Sequence, residues 1–171
     1  MKITFPIVGI GASAGGVEPL EAFFEQVPLD TSFAYVIIQH LAPNYKSLMD
    51  ELLALHTKLP IHIIEDDLKP EQGHIYLNPP KKFVEIIEGK FSLSEKEDRK
   101  LSFPISTFFH SLAKELQENA CAVILSGTGI DGTDGIKSIK EKDGFVVVQD
   151  PTEAKFNGMP NNAIKSGCVD K

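Results

Sequence analysis

The stretch Phe5-Pro6-Ile7-Val8-Gly9-Ile10-Gly11-Ala12-Ser13-Ala14-Gly15-Gly16 decides the fold. Residues 5–10 form a short apolar, β-branched run that reads as a strand. A helical pattern follows at once, with Val17, Leu20, Phe23, Phe24 and Val27 on one face at near 3.6 spacing. A strand passing into a helix through a glycine-rich turn is the opening unit of a parallel sheet flanked by helices.

The rest of the chain repeats the alternation. Residues 33–38 are almost uninterrupted apolar sequence, which is how a strand covered on both faces reads. A helix is expected at about residues 46–55, turning Leu48, Leu52 and Leu55 inward. The middle third differs. Runs 61–64 and 74–77 are short and separated by polar residues 65–72, while 83–87 and 91–93 flank Glu88-Gly89-Lys90, a tight hairpin turn. This third is expected to be an antiparallel insertion or sheet extension, followed by a charged, solvated loop at 94–102. Parallel alternation then resumes. A helix over 105–118 buries Phe108, Phe109, Leu112, Ala113 and Leu116, and strands lie at 121–125 and 145–148 with a helix over 133–142 between them. The expected fold is therefore α/β and doubly wound: a mainly parallel sheet flanked by helices, with an antiparallel hairpin extension.

Composition narrows the class. At 171 residues with 42% apolar side chains, the chain is one domain with a substantial core. A net charge of -7 and the lack of any basic patch argue against nucleic-acid partners, whose phosphates need a basic surface. Cys121 and Cys168 are too few for a zinc site or a disulfide framework. There is no run of about 18 apolar residues and no signal-peptide pattern, so no membrane insertion and a cytoplasmic location are expected.

Ligands of open parallel sheets bind beyond the carboxyl ends of the strands. Ser13 follows the first strand, Gln39-His40 the second, and Ser126-Gly127-Thr128-Gly129-Ile130-Asp131-Gly132 the strand at 121–125. A serine, a histidine and an aspartate thus fall at one sheet edge, as nucleophile, base and orienting acid require. Gly11-Ala12-Ser13-Ala14-Gly15 also matches the nucleophile elbow, in which a sharp turn exposes a serine beside unpaired helix N–H groups. Each residue has a plainer reading. Ser13 could cap the helix after it, Asp131 could cap the helix at 133–142, and His40 could be a polar strand end. The remaining histidines, 56, 62, 74 and 110, lack such placement and read as structural.

A second functional reading uses the same turn. Gly9-x-Gly11-x-x-Ala14 is a weak dinucleotide fingerprint, making the chain a nucleotide-binding module. That reading needs an acidic residue at the end of the second strand, where Gln39-His40 stands instead, so the hydrolase is preferred. A third reading is a catalytically silent interaction domain.

Taken together, the residues 9–16 turn, Gln39-His40-Leu41, the residues 126–132 turn, Tyr76-Leu77-Asn78-Pro79-Pro80 and Phe156-Asn157-Gly158-Met159-Pro160 resemble the catalytic domain of the chemotaxis-type protein-glutamate methylesterase (CheB) family. The resemblance implies hydrolysis of glutamate γ-methyl esters on chemoreceptors with release of methanol. In some members it also implies deamidation of receptor glutamines. It makes Ser13 the nucleophile, His40 the base and Asp131 its orienting partner, and implies no cofactor and no metal. Ala14 stands where the family often has Thr, and Thr128 where many members have Met. Stand-alone members carry an N-terminal receiver domain that this sequence lacks. The chain resembles versions fused to methyltransferase and sensor domains, and is expected to be a single catalytic domain, residues 1–171, of a longer protein.

Overall fold

The computed structural model describes residues 2–40, 48–96 and 101–171. Strand β1 (Ile7–Ala12) leads into helix α1 (Val17–Glu25), then β2 (Ala34–Gln39), α2 (Met49–Leu53), β3 (Ile61–Ile63) and β4 (Ile75–Leu77). A hairpin of β5 (Lys82–Ile87) and β6 (Lys90–Glu95) comes next, then α3 (Pro104–Leu116) and a short 3-10 turn (Gln117–Asn119). The chain continues through β7 (Ala120–Ile124), α4 (Thr133–Glu141), β8 (Phe145–Val148) and α5 (Gly158–Lys165).

Six strands form one parallel sheet in the order β3-β4-β2-β1-β7-β8. β1 lies inside it, with Ala12 opposite Gln39 of β2 and Gly11 opposite Ile124 of β7. The chain leaves β1 toward β2 and later returns on the other side as β7. The carboxyl end of β1 is thus a topological switch point, where loops diverge and leave a crevice.

Alternation along β1 sends successive residues to opposite layers. Val8, Ile10 and Ala12 pack with Leu20 and Phe24 of α1 and with Met49 and Leu53 of α2. Ile7 faces the other layer, with Phe108, Phe109 and Leu112 of α3. Gly9 and Gly11 face that layer too, and their missing side chains let α3 settle onto the strand. A Cβ on Gly11 would lie 2.5 Å from Ile105 Cγ2, and one on Gly9 2.9 Å from Phe109 Cε1. These two glycines are therefore strand residues serving helix packing, and β1 ends two residues later than the apolar run alone indicates.

Four departures from expectation stand out. β3 and β4 are not antiparallel: they are parallel strands of the main sheet, β3 at its edge and β4 between β3 and β2, and among the described residues only β5 and β6 pair antiparallel, as a separate ribbon beside α3. The turn of that ribbon is the expected one, with Glu88 and Gly89 both at positive φ. In α2 the hydrophobic phase is off by one. Met49 and Leu53 are buried, while Leu48, Leu52 and Leu55 are exposed, and residues 46 and 47 lie outside those described. Finally, α5 was not anticipated. Pro160 sits in its first turn, where a missing N–H costs nothing, and Met159 and Ala163 bury its inner face. The charged segment 94–102 begins as strand, and residues 97–100 fall outside those described.

Candidate active site

The turns after β1 and β7 are stitched together before any catalytic chemistry is considered. Leu125 N–H donates to Gly11 O at 2.9 Å, and Ser13 N–H donates to Ser126 O at 3.0 Å. The fully buried Ser126 hydroxyl donates to Ala14 O at 2.8 Å and accepts the Phe156 N–H at 3.0 Å. Ser126 N–H in turn donates to Gln149 Oε1 at 2.8 Å. Gly15, at φ +71, completes the turn, and a Cβ there would meet the Ser126 hydroxyl at 2.8 Å. The turn that carries Ser13 is thus fixed on three sides.

Ser13 does not cap α1. The N-cap is Gly16, with no side-chain cap bond, so the serine hydroxyl is free for other use. It lies 3.4 Å from His40 Nδ1. On the far side of the ring, His40 Nε2 lies 2.6 Å from Asp131 Oδ2. A carboxylate only accepts, so Nε2 carries the proton and Nδ1 offers its lone pair to the hydroxyl. The ring nitrogens are exchanged relative to the chymotrypsin arrangement, in which Nδ1 faces the acid. The tautomer each arrangement needs is the same in kind: protonated toward the acid, bare toward the serine.

Asp131 is nine-tenths and more buried, at 3% exposure, and its charge is met by donors. Oδ1 accepts the N–H groups of Ser106 (3.0 Å) and Gly132 (2.8 Å), and Oδ2 accepts that of Ile105 (3.0 Å) as well as His40. Ile105 and Ser106 open α3, which starts at Pro104 and has no side-chain cap of its own. Their N–H groups have no intrahelical partners, and the helix dipole favours an anion there. Asp131 therefore caps α3 across space and not α4, whose N-cap is Gly132. The Ser106 hydroxyl reciprocates, accepting the N–H groups of Gly132 (3.0 Å) and Gly135 (3.2 Å) at the start of α4.

The backbone N–H groups of Ala14 and Thr128 have no hydrogen-bond partners among the described residues. They sit on the two loops that bracket Ser13. The site is open: Ser13 is half-buried, Ala14 exposed, and the His40 side chain 36% exposed.

The other histidines are not drawn in. His56 pairs with Glu25 and Glu21, and His62 with His74. His110 repeats the residue types of a triad, 2.8 Å from Ser138 and 3.2 Å from Asp134. Ser138 sits inside α4, however, where surrounding N–H groups are spent in the helix and none is left for an oxyanion. Among the described residues, no group of three or more His, Cys, Asp or Glu is placed to hold a metal ion. No helix there is long and apolar enough to cross a membrane.

Sequence reasoning named Ser13, His40 and Asp131, and the fold brings all three together. It missed Ser106, whose N–H bonds Asp131, Ser126, which ties the Ser13 turn, and Asn78, whose carboxamide bonds the Gln39 backbone next to His40. Only Asn78 and Ser126 carried a signal, each as part of a quoted motif at a strand end.

A serine, a histidine and a buried aspartate in hydrogen-bonding sequence at the carboxyl edge of a parallel sheet define the class: an α/β domain of serine-hydrolase type. The chain belongs to the CheB methylesterase family, whose model matches residues 8–171. It is 31% identical over 165 residues to protein-glutamate methylesterase/protein-glutamine glutaminase 3 of Hahella chejuensis, covering 95% of this chain and 47% of that protein. A putative protein-glutamate methylesterase/protein-glutamine glutaminase of Leptospira interrogans is 31% identical over 170 residues, 98% of this chain and 88% of the relative. An uncharacterized 104.1 kDa protein of Rhodobacter capsulatus is 40% identical over 122 residues, 71% of this chain and 13% of that protein. The catalytic domain of the Thermotoga maritima CheB methylesterase superposes with a TM-score of 0.89 at 26% identity, covering 98% of this chain and 92% of that one. The chain spans about half the length of several curated relatives it matches.

Proposed function

We propose that the chain is the catalytic domain of a protein-glutamate methylesterase, with Ser13 as nucleophile, His40 as general base and Asp131 as the residue that orients it. The observation that carries this reading is the continuous path from the Ser13 hydroxyl through His40 to the buried Asp131 carboxylate. His40 Nδ1 takes the hydroxyl proton as Ser13 Oγ attacks the ester carbonyl. The oxyanion is held by the unpaired N–H groups of Ala14 and Thr128. His40 then protonates the leaving methoxide, and water cleaves the acyl-serine by the same roles in reverse. Base catalysis of this kind supplies about 10²–10⁴-fold, and each oxyanion donor about 10²–10³-fold. Asp131 keeps the proton on Nε2 and stabilises the imidazolium without taking a proton itself.

The openness of the site suits a side chain presented on a protein surface. The substrate is the γ-methyl ester of a glutamate on a chemoreceptor-type signalling protein, and glutamine deamidation uses the same acyl chemistry. The domain works in the cytoplasm as part of a longer protein, linked to methyltransferase and sensor domains. A nucleotide-binding role is disfavoured because Gly9 and Gly11 make room for α3 and not for phosphates. A silent interaction domain would have no need of unpaired N–H groups beside an activated serine. The test is incubation with a methylated chemoreceptor fragment. Methanol release is expected, and its absence, with no labelling of Ser13 by a serine-directed phosphonate, contradicts the reading.

A further inference from the structure

His40 stands one residue beyond the end of β2, and what fixes it there is visible in the register of β2 against β4. Tyr35 pairs with Ile75 and Ile37 with Leu77. The bonds alternate accordingly: Tyr35 N–H donates to His74 O at 3.0 Å, and Asn78 N–H to Ile37 O at 3.2 Å. Continued by the same parallel pattern, Gln39 N–H would donate to the carbonyl of Asn78, and Gln39 O would accept the N–H of residue 80. Residue 80 is a proline and has no N–H to give. The regular ladder therefore cannot be completed at the residue that precedes His40.

The Asn78 side chain completes it instead. Its Oδ1 accepts the Gln39 N–H at 2.9 Å and its Nδ2 donates to Gln39 O at 3.0 Å. Asn78 is 5% exposed and Gln39 9%, so these bonds have little water to compete with them. The Gln39 carbonyl belongs to the peptide plane that joins it to His40. Holding that carbonyl sets the direction in which the imidazole leaves the strand. A single carboxamide thus matches one donor and one acceptor, and an apolar residue at 78 would leave both buried groups unpaired.

We infer that Asn78 is a positioning residue for His40, its carboxamide standing in for the N–H that Pro80 lacks and so aiming the imidazole between Ser13 and Asp131. The inference rests on the reading of Ser13, His40 and Asp131 given above. Both polar atoms of the Asn78 carboxamide are engaged by the Gln39 backbone, so its effect falls on alignment. Misplacement of a reacting group by about 1 Å costs about 10²-fold in rate.

The test is methanol release from a methylated receptor fragment by the full chain, with folding followed by thermal melting. Asn78→Ala is expected to lower kcat about 10–100-fold with KM within about twofold. In a His40→Ala background the same substitution is expected to lower the residual rate by less than about twofold, because alignment of an absent imidazole has no value. Asn78→Asp provides a second variant. Its protonated carboxyl can still donate to Gln39 O, so its activity relative to wild type is expected to be highest at the acid end and to fall as pH rises. A folded Asn78→Ala protein with kcat within about twofold of wild type overturns the inference. So does an equal loss in both backgrounds, or a pH-independent Asn78→Asp ratio. Wild-type protein that releases no methanol overturns the underlying reading instead, a distinct result from an active enzyme indifferent to residue 78.

Discussion

Asp131 and Ser106 cap each other's helices: the carboxylate of Asp131 accepts the Ser106 N–H at 3.0 Å, and the Ser106 hydroxyl accepts the Gly132 N–H at 3.0 Å. The acid that faces His40 is therefore part of the joint between α3 and α4. Its orientation is set by backbone donors and the start of a helix, independently of the imidazole.

All four donors around Asp131 need acceptors, and an asparagine has one acceptor oxygen where the carboxylate has two. Asp131→Asn therefore cannot satisfy both the α3 start and the His40 tautomer. Loss of activity of about 10⁴-fold is expected, the scale seen when a triad aspartate becomes an amide. A drop in stability of about 1–2 kcal/mol accompanies it, as for loss of a helix cap. Methanol release together with urea denaturation checks both parts. A variant that loses activity at unchanged stability would separate the two roles joined here.

Gly11→Ala places a Cβ 2.5 Å from Ile105 Cγ2, inside the contact between β1 and α3. Overpacking of this kind costs about 1–3 kcal/mol. Because Ile105 also supplies an N–H to Asp131, activity is expected to fall along with the melting temperature. Ile105→Ala added to Gly11→Ala removes the clashing methyl, and the double variant is expected to lose less stability than the two single losses added together. Denaturation of the single and double variants measures the coupling.

The last residues of the chain are tied to α4 by charge and to β8 by a hydrogen bond. Asp170 accepts from Lys140 Nζ at 2.8 Å and from Val146 N–H at 2.8 Å, and the Lys140 bond first, then the backbone bond, hold its carboxyl below the usual range. Its folded pKa lies under its unfolded value of about 4. The stability it contributes is present above that value and is lost as pH falls through the folded one. Asp170→Asn is expected to melt below wild type at neutral pH, with the difference closing in acid. Melting curves from pH 7 to pH 2 check this.

Local signals explain how much of this was legible. Apolar runs at 33–38 and 121–125 located the central strands β2 and β7 because buried parallel strands have no polar face to interrupt them, and the run at 145–148 located the edge strand β8. The β1 boundary was misjudged because Gly11 is a poor strand former whose reason for being there, Ile105, lies in α3. β3 and β4 are three-residue strands, too short to show a period. The helix α5 was hidden by Gly158, Pro160 and two asparagines, all of which read as breakers until Met159 and Ala163 are seen packed. The same holds for the site. Ser13, His40 and Asp131 stand at strand ends, where position alone marks them. Their supports come from 25 residues away for Ser106 and 39 for Asn78, and no local pattern records such partners.

The most direct measurement of the central claim is methanol release from a methylated chemoreceptor fragment by wild type and by Ser13→Ala. The variant is expected to melt with wild type, because among the described residues the Ser13 side chain bonds only to His40 and its backbone contacts survive the change. Its methanol release is expected to fall to background. Release at the wild-type rate by a folded Ser13→Ala protein would contradict the assignment of this turn as a nucleophile elbow.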